Sequence, residues 1–204
     1  MSESEILKGC LKNNRESQKA LYDLFYSKMS GVCLRYSKDS NEAKEMLSEG
    51  FLNVFSNLKN YNPSISLESW INGIIVKSSI DHLRKNKQNL IVSTVYANEK
   101  AINTEDGMSD DELVLHIDKE DILKAVQDLT PAYRTVFNLY MIEKYSHKEI
   151  AEILDISETT SESNLSKAKY NLRKNILRQL SQHAQKNAGL KKKQAKQPPE
   201  EMIF

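Results

Sequence analysis

The sequence predicts an all-α protein, two small helical domains joined by an acidic, flexible linker. Three observations predict it. Glycine and proline are scarce, six and four among 204 residues, which favours helices joined by short turns over a strand-rich sandwich. Apolar residues recur at helical spacing up to about residue 89 and again from Leu113. Between those stretches the periodicity dissolves and acids gather.

In the first stretch, Leu21, Leu24, Phe25 and Met29 share one spacing, and Met46, Leu47, Phe51, Val54, Phe55 and Leu58 another. Pro63 ends the run, because proline disfavours helical geometry in the residue before it. Ser66 is the expected N-cap of a new helix with Glu68 in its first turn, running through Trp70, Ile74 and Leu83 to the basic end Arg84-Lys85-Asn86-Lys87. The segment 103–112 holds turn formers and acids with no apolar period. Periodicity then resumes through Ile117, Ile122, Val126 and Leu129. Thr130-Pro131 opens another helix, Thr as N-cap and Pro at the first position. Ser146 and Glu149 form a capping-box pattern before a short helix over 148–154. The turn Asp155-Ile156-Ser157 leads into a helix over about 158–180, which is the spacing of a helix-turn-helix. The boundaries read 1–89, a linker over 90–112, 113–182, and a lysine-rich tail over 183–204 expected to lack fixed structure.

The formal net charge is only +1, but it is unevenly spread. Residues 1–90 carry 13 basic against 10 acidic side chains, residues 91–120 carry 2 against 8, and residues 181–204 carry 5 against 2. Different segments are therefore suited to different partners. No run of 18 apolar residues exists and the N-terminus has no signal-peptide core, so the reading is a cytoplasmic chain without membrane insertion. Cys10 and Cys33 fit buried free thiols in a reducing compartment. His82, His116, His147 and His183 are scattered, no CxxC and no glycine-rich phosphate loop occurs, and no metal, cofactor or catalytic residue is expected.

Three segments together resemble the sigma-70 family, in its compact extracytoplasmic-function form. Residues 42–55 (EAKEMLSEGFLNVF) resemble the acidic helix that grips the clamp helices of the polymerase's largest subunit. Residues 67–85, from Leu-Glu-Ser-Trp-Ile to Ile-Asp-His-Leu-Arg-Lys, are similar to the helix that melts and reads the minus-ten element. Residues 129–137 (LTPAYRTVF) and the helix-turn-helix resemble the domain that meets the minus-thirty-five element and the polymerase flap.

The resemblance implies core RNA polymerase and promoter DNA as partners. Glu42, Glu45, Glu49 and Phe51 are expected to dock on the clamp, and Val136, Phe137 and Tyr140 on the flap. The three glutamates recur at i, i+3 and i+7, which puts them on one helix side. Trp70, Lys77, Asp81, His82, Arg84, Lys85 and Lys87 are expected at the minus-ten strand, where unstacking bases needs aromatic platforms beside cations. Trp70 is equally readable as a core anchor. Ser146, His147, Lys148, Thr159, Thr160, Ser161, Glu162, Ser163, Asn164, Lys167 and Lys169 are expected at the minus-thirty-five duplex.

The chain departs from that family in places. Relatives commonly carry a lysine where Glu162 stands, and a carboxylate there faces phosphate repulsion. An arginine often found three residues after the tryptophan is Gly73, a residue read as permitting close packing. The expectation is a sigma factor that either reads the minus-thirty-five element weakly or reads an unusual promoter motif there, the two standing level. An anti-sigma factor or a DNA-targeting protein is a further partner left open. The alternative is a stand-alone helix-turn-helix regulator, which gives residues 42–87 no task.

Overall fold

The computed structural model describes residues 2–86 and 117–194, with side chains through residue 183. The linker over 90–112, the restart at Leu113, His116 and Lys87 fall outside the described residues. Among those described, every regular element is helical.

The N-terminal half is built on side-chain caps. Ser2 and Glu5 close a capping box on α1 (Glu3–Leu11), and Asn14 accepts from the Ser17 amide to start α2 (Arg15–Tyr36). Asp39 accepts from the amides of Asn41 and Glu42 to start α3 (Ser40–Asn57). One 3-10 turn, Leu58–Asn60, and the Pro63 break lead to α4 (Leu67–Lys85), where Ser66 accepts from Ser69 as expected. Each cap satisfies amides that a helix start leaves without partners. Helices α3 and α4 cross so closely that a Cβ on Gly50 would lie 2.5 Å from Ile75 Cδ1. A Cβ on Gly73 would meet nothing within 4 Å, so the close packing expected there is absent. Leu24 is also not core; it is exposed, one step off the buried stripe of Leu21, Phe25 and Met29.

The C-terminal half comprises α5 (Lys119–Gln127), α6 (Pro131–Phe137), one π turn (Asn138–Ile142), α7 (His147–Leu154) and α8 (Glu158–Gln194). Pro131 occupies the first position of α6, and Ser146 with Glu149 completes the capping box on α7. Asp155 adopts a left-handed conformation (φ 56°) and the Ile156 amide returns to the Ala151 carbonyl, which ends α7. Ser157 accepts from the Thr160 amide at 3.0 Å and starts α8. Helix α8 continues through Gln194, well beyond the end expected near residue 180. Asn175 donates to the Ala125 carbonyl (3.1 Å), Arg178 pairs with Asp128 (3.0 Å) and His183 Nδ1 lies 3.6 Å from Asp121, so its contact with α5 and the residue after it reaches position 183.

Helix α2 is the wall that both halves share, packing on α3 and α4 and also on α5 and α6. The last carbonyls of a helix have no partner within it, and here the C-terminal half supplies two. Gln127 donates to the Leu34 carbonyl (3.1 Å) and Asn138 to the Arg35 carbonyl (2.8 Å). The π turn carries Glu143 back onto this seam, where it accepts from Arg35 (3.3 Å) on α2 and from Asn72 (2.8 Å) on α4. Apolar contact joins the halves too, since Val136 and Leu139 pack in one cluster with the α2–α4 core.

Cys10 and Cys33 are free and buried. Burial pushes the Cys33 thiol up to about 11 from an ordinary value of 9.0. A folded pKa above the unfolded one means the stabilisation is complete below about pH 9 and lost as pH rises towards about 11. The denaturation midpoint in urea should therefore fall between pH 8.5 and pH 10.5 (about two units apart), and fall less in Cys33→Ala. At pH 8 neither thiol should react with an aromatic disulfide reagent until the chain unfolds; rapid native reaction contradicts this packing.

Candidate nucleic-acid interface

The acidic helix α3 buries Met46, Leu47 and Val54 and turns its polar side outwards. Glu45 is exposed and Glu49 partly so, and with Lys44 and Ser48 they line one shallow depression. Glu42 does not join them. It is only 5% exposed, accepting the Lys38 amide at 2.6 Å and opposing by its charge the fall that burial imposes on the Arg134 pKa. The expected three-glutamate face is thus a pair, because Glu42 turns inward to the Lys38 amide, with Arg134 as its opposing charge. Phe51 is also corrected: it is a core residue whose ring lies 4.6 Å from that of Tyr22. Leu52 beside it is 67% exposed and was missed, since an apolar residue inside an apolar run gives no sign of its side.

Helix α4 divides its polar side chains between two directions. His82 faces α3 and not solvent. It is buried, with Nδ1 3.3 Å from Glu49, Nε2 3.9 Å from Glu45 and 2.8 Å from the Asn86 amide. Its expected place at DNA is corrected accordingly; it ties the acidic helix to the basic one. Lys85 is exposed, 4.0 Å from Glu49.

On the other side, Trp70 is half-buried with its ring 5.3 Å from that of Tyr61. A cleft of about 390 Å³ runs from Trp70 past Asn53, Asn57 and Asn60 to Lys77 and Asp81. Amides that donate and accept, an aromatic ring and one cation suit the edge and face of an unstacked base. The asparagines were not singled out from the sequence, although Asn53 and Asn57 at i, i+4 share a helix face. Arg84 is exposed and near Asp81 (3.7 Å), and it donates to the Ile153 carbonyl of α7 at 2.6 Å.

The helix-turn-helix is formed by α7 and the start of α8. Ser146 is committed to its cap and Lys148 is exposed. His147 stacks on Tyr140, centroids 4.4 Å apart, and its Nδ1 lies 2.9 Å from the Ser161 hydroxyl. Ser161 and Asn164 are buried and do not face a duplex, which corrects the expected minus-thirty-five set. Thr159, Glu162 and Lys169 are exposed, while Thr160, Ser163 and Lys167 are partly so. The outward surface of the recognition helix therefore begins with hydroxyls and carboxylates, and cations come only later. Val136 is fully buried, so the expected flap surface is reduced to the half-buried Phe137 and Tyr140. Among the described residues, no cluster of histidine, cysteine or carboxylates has the arrangement of a metal site, and no helix is long and apolar enough to cross a membrane.

Comparison with known proteins agrees with this geometry. Sigma-70 region 2 matches residues 21–89, spanning α2 to α4, and sigma-70 region 4 matches residues 119–172, spanning α5 to the recognition helix. The chain is 23% identical to the ECF RNA polymerase sigma factor SigW of Bacillus subtilis, over 83% of this chain and 94% of that protein. It is 23% identical to SigM of the same organism, over 75% and 91%. It is also similar to the sigma factor RpoE of Bartonella quintana, solved with the anti-sigma factor NepR, at 18% identity and a TM-score of 0.47 over 78% of this chain and 95% of that one. Carrying both regions in order on a helical frame that exposes an acidic pair, an asparagine-lined cleft and a helix-turn-helix, the chain belongs to the sigma-70 family, as a sigma factor of the extracytoplasmic-function group.

Proposed function

We propose that the chain acts in the cytoplasm, where it binds core RNA polymerase through α3, opens promoter DNA along α4 and places α8 weakly at the minus-thirty-five duplex. The region 2 match over residues 21–89 carries this reading, because a stand-alone helix-turn-helix regulator has no use for it. Residues 1–89 are the clamp-binding and minus-ten domain, 90–112 the connector, 113–182 the minus-thirty-five and flap domain, and 183–204 a basic extension. The docking surface for the clamp is Glu45 and Glu49 with the exposed Leu52 beside them. An apolar centre rimmed by charge gives affinity and orientation together. Trp70, Lys77 and the asparagine cleft receive the opened strand, with Arg84 and Lys85 on its phosphates.

The recognition helix supports a weak-readout reading. Glu162 is the exposed residue at the position where relatives commonly hold a lysine, and a carboxylate repels phosphate. Placement at promoters then leans on polymerase contacts or on a second DNA-bound protein, whose linkage raises effective concentration without new base contacts. An anti-sigma factor is another partner that this reading accommodates.

Two experiments test these assignments. Charge reversal of Glu45 and Glu49 together should weaken binding to core polymerase about tenfold or more, a loss near 1.4 kcal/mol, with helical circular dichroism retained. Unchanged core affinity would remove the docking assignment.

The second pairs neighbouring residues. Glu162→Lys should leave thermal stability unaltered and raise affinity for any duplex in a gel-shift titration. Ser161→Lys should unfold the helix-turn-helix, since an unpaired buried charge costs about 3–5 kcal/mol. If Glu162→Lys instead abolishes binding to one sequence only, Glu162 reads a cytosine amino group, and weak readout is wrong.

A further inference from the structure

The cleft beside Trp70 is lopsided in its hydrogen-bonding capacity, and this bears on which base it takes. Trp70, Lys77 and Asp81 stand at i, i+7 and i+11 of α4 and so share one side of the helix. Asparagines of α3 and the 3-10 turn line the rest of its volume of about 390 Å³. The aromatic wall is fixed. Trp70 is half-buried with its ring 5.3 Å from that of Tyr61, and the Tyr61 hydroxyl donates to the Ile65 carbonyl at 2.9 Å. Such a ring stacks on any base, so it supplies affinity without identity. Identity has to come from the polar side chains.

Two asparagines turn their nitrogens to the protein. Asn53 Nδ2 donates to the Ser78 hydroxyl at 2.8 Å, and Asn57 Nδ2 donates to the Asn53 carbonyl at 2.8 Å. An amide engaged through its nitrogen leaves its oxygen, on the other side of the group, to meet a ligand. The Asp81 carboxylate, 3.7 Å from Arg84, is a further acceptor. Against these oxygens stands Lys77, exposed on α4, whose ammonium only donates. Asn60 adds an amide that serves either way. Several acceptors therefore sit beside a single cation.

An unpaired base shows its Watson–Crick edge, and the edges differ. Guanine presents adjacent donors, N1–H and the 2-amino group, followed by the O6 acceptor. Thymine sets one donor between acceptors, cytosine has one donor beside acceptors, and adenine has one donor and one acceptor. Set against amide and carboxylate oxygens, those extra acceptors find no match, and an unmatched polar group in a contact costs affinity. Guanine alone gives its donors to the oxygens and its O6 to a cation, a pairing that lysine also makes in duplex readout.

We infer that the cleft selects guanine in the opened strand, with Asn53, Asn57 and Asp81 taking N1–H and the 2-amino group and Lys77 taking O6. This rests on the proposed assignment of the cleft to the promoter strand. It makes Lys77 a specificity-determining residue rather than one more phosphate contact.

The test uses the full chain bound to core polymerase, with promoter fragments held open by mismatches across the minus-ten segment so that melting costs the same for every sequence. With each position of the non-template strand varied in turn, one position should prefer guanine about tenfold over the other bases. There, inosine, which lacks the 2-amino group, should bind more weakly than guanine, and 7-deazaguanine should bind equally well. The reverse order of these analogues overturns the Watson–Crick assignment. Lys77→Ala should erase most of the guanine-to-adenine ratio at that position, and Lys77→Arg, which also only donates, should retain it. A lysine acting on phosphate weakens all bases alike and leaves the ratio intact; that result, or a preference for a different base, overturns the inference. Failure of the wild-type complex to initiate on any promoter counts against the sigma-factor reading itself. Initiation with a base preference indifferent to Lys77 counts against guanine selection alone.

Discussion

The end of helix α2 is the constraint on which the rest depends. Its final carbonyls lie where the chain must leave the helix, and the Ser37 amide satisfies only the Cys33 carbonyl within the backbone. The carbonyls of Leu34 and Arg35 are met by Gln127 and Asn138, some hundred residues later. One helix end thus sets the register of the whole C-terminal half against α2–α4. The π turn follows from the same contact: Asn138 begins it, and its extra residue carries Glu143 to Arg35 and Asn72.

This placement explains how the charged side chains are sorted. The acids of α3 are divided because Glu42 turns inward, where its charge opposes that of the buried Arg134 on α6. One and two turns further along, Glu45 and Glu49 reach solvent and hold His82 from α4. Docking a polymerase on this pair would draw on the same carboxylates that orient His82 and neighbour Lys85. Under the proposed assignment, the polymerase-facing and DNA-facing sides of the first half would not be independent surfaces.

Helix starts were legible in the sequence because they are local. Ser66 and Ser146 cap and Pro131 opens its helix where the pattern predicted, although the Thr130 side chain makes no capping bond; the all-α class follows from the same periodicity. Helix ends were less so: α8 has no glycine or proline to stop it near residue 180, and its contact with α5 reaches His183. Burial that depends on tertiary neighbours was not legible. Phe51, Val136, Ser161 and Asn164 sit beside exposed residues of similar type, and only the partner helix decides which of them is covered. The seam itself was invisible, since nothing in a heptad-scale pattern links Arg35 to Glu143.

The central claim is that this helical chain confers promoter-directed initiation on a polymerase that lacks it. Run-off transcription with core polymerase on a library of genomic fragments, followed by mapping of the 5′ ends, tests it most directly. The account predicts discrete start sites that share a motif about ten base pairs upstream, permanganate-reactive thymines at that motif, and little common sequence near minus thirty-five. Transcripts no more frequent or better defined than those of core polymerase alone would contradict it.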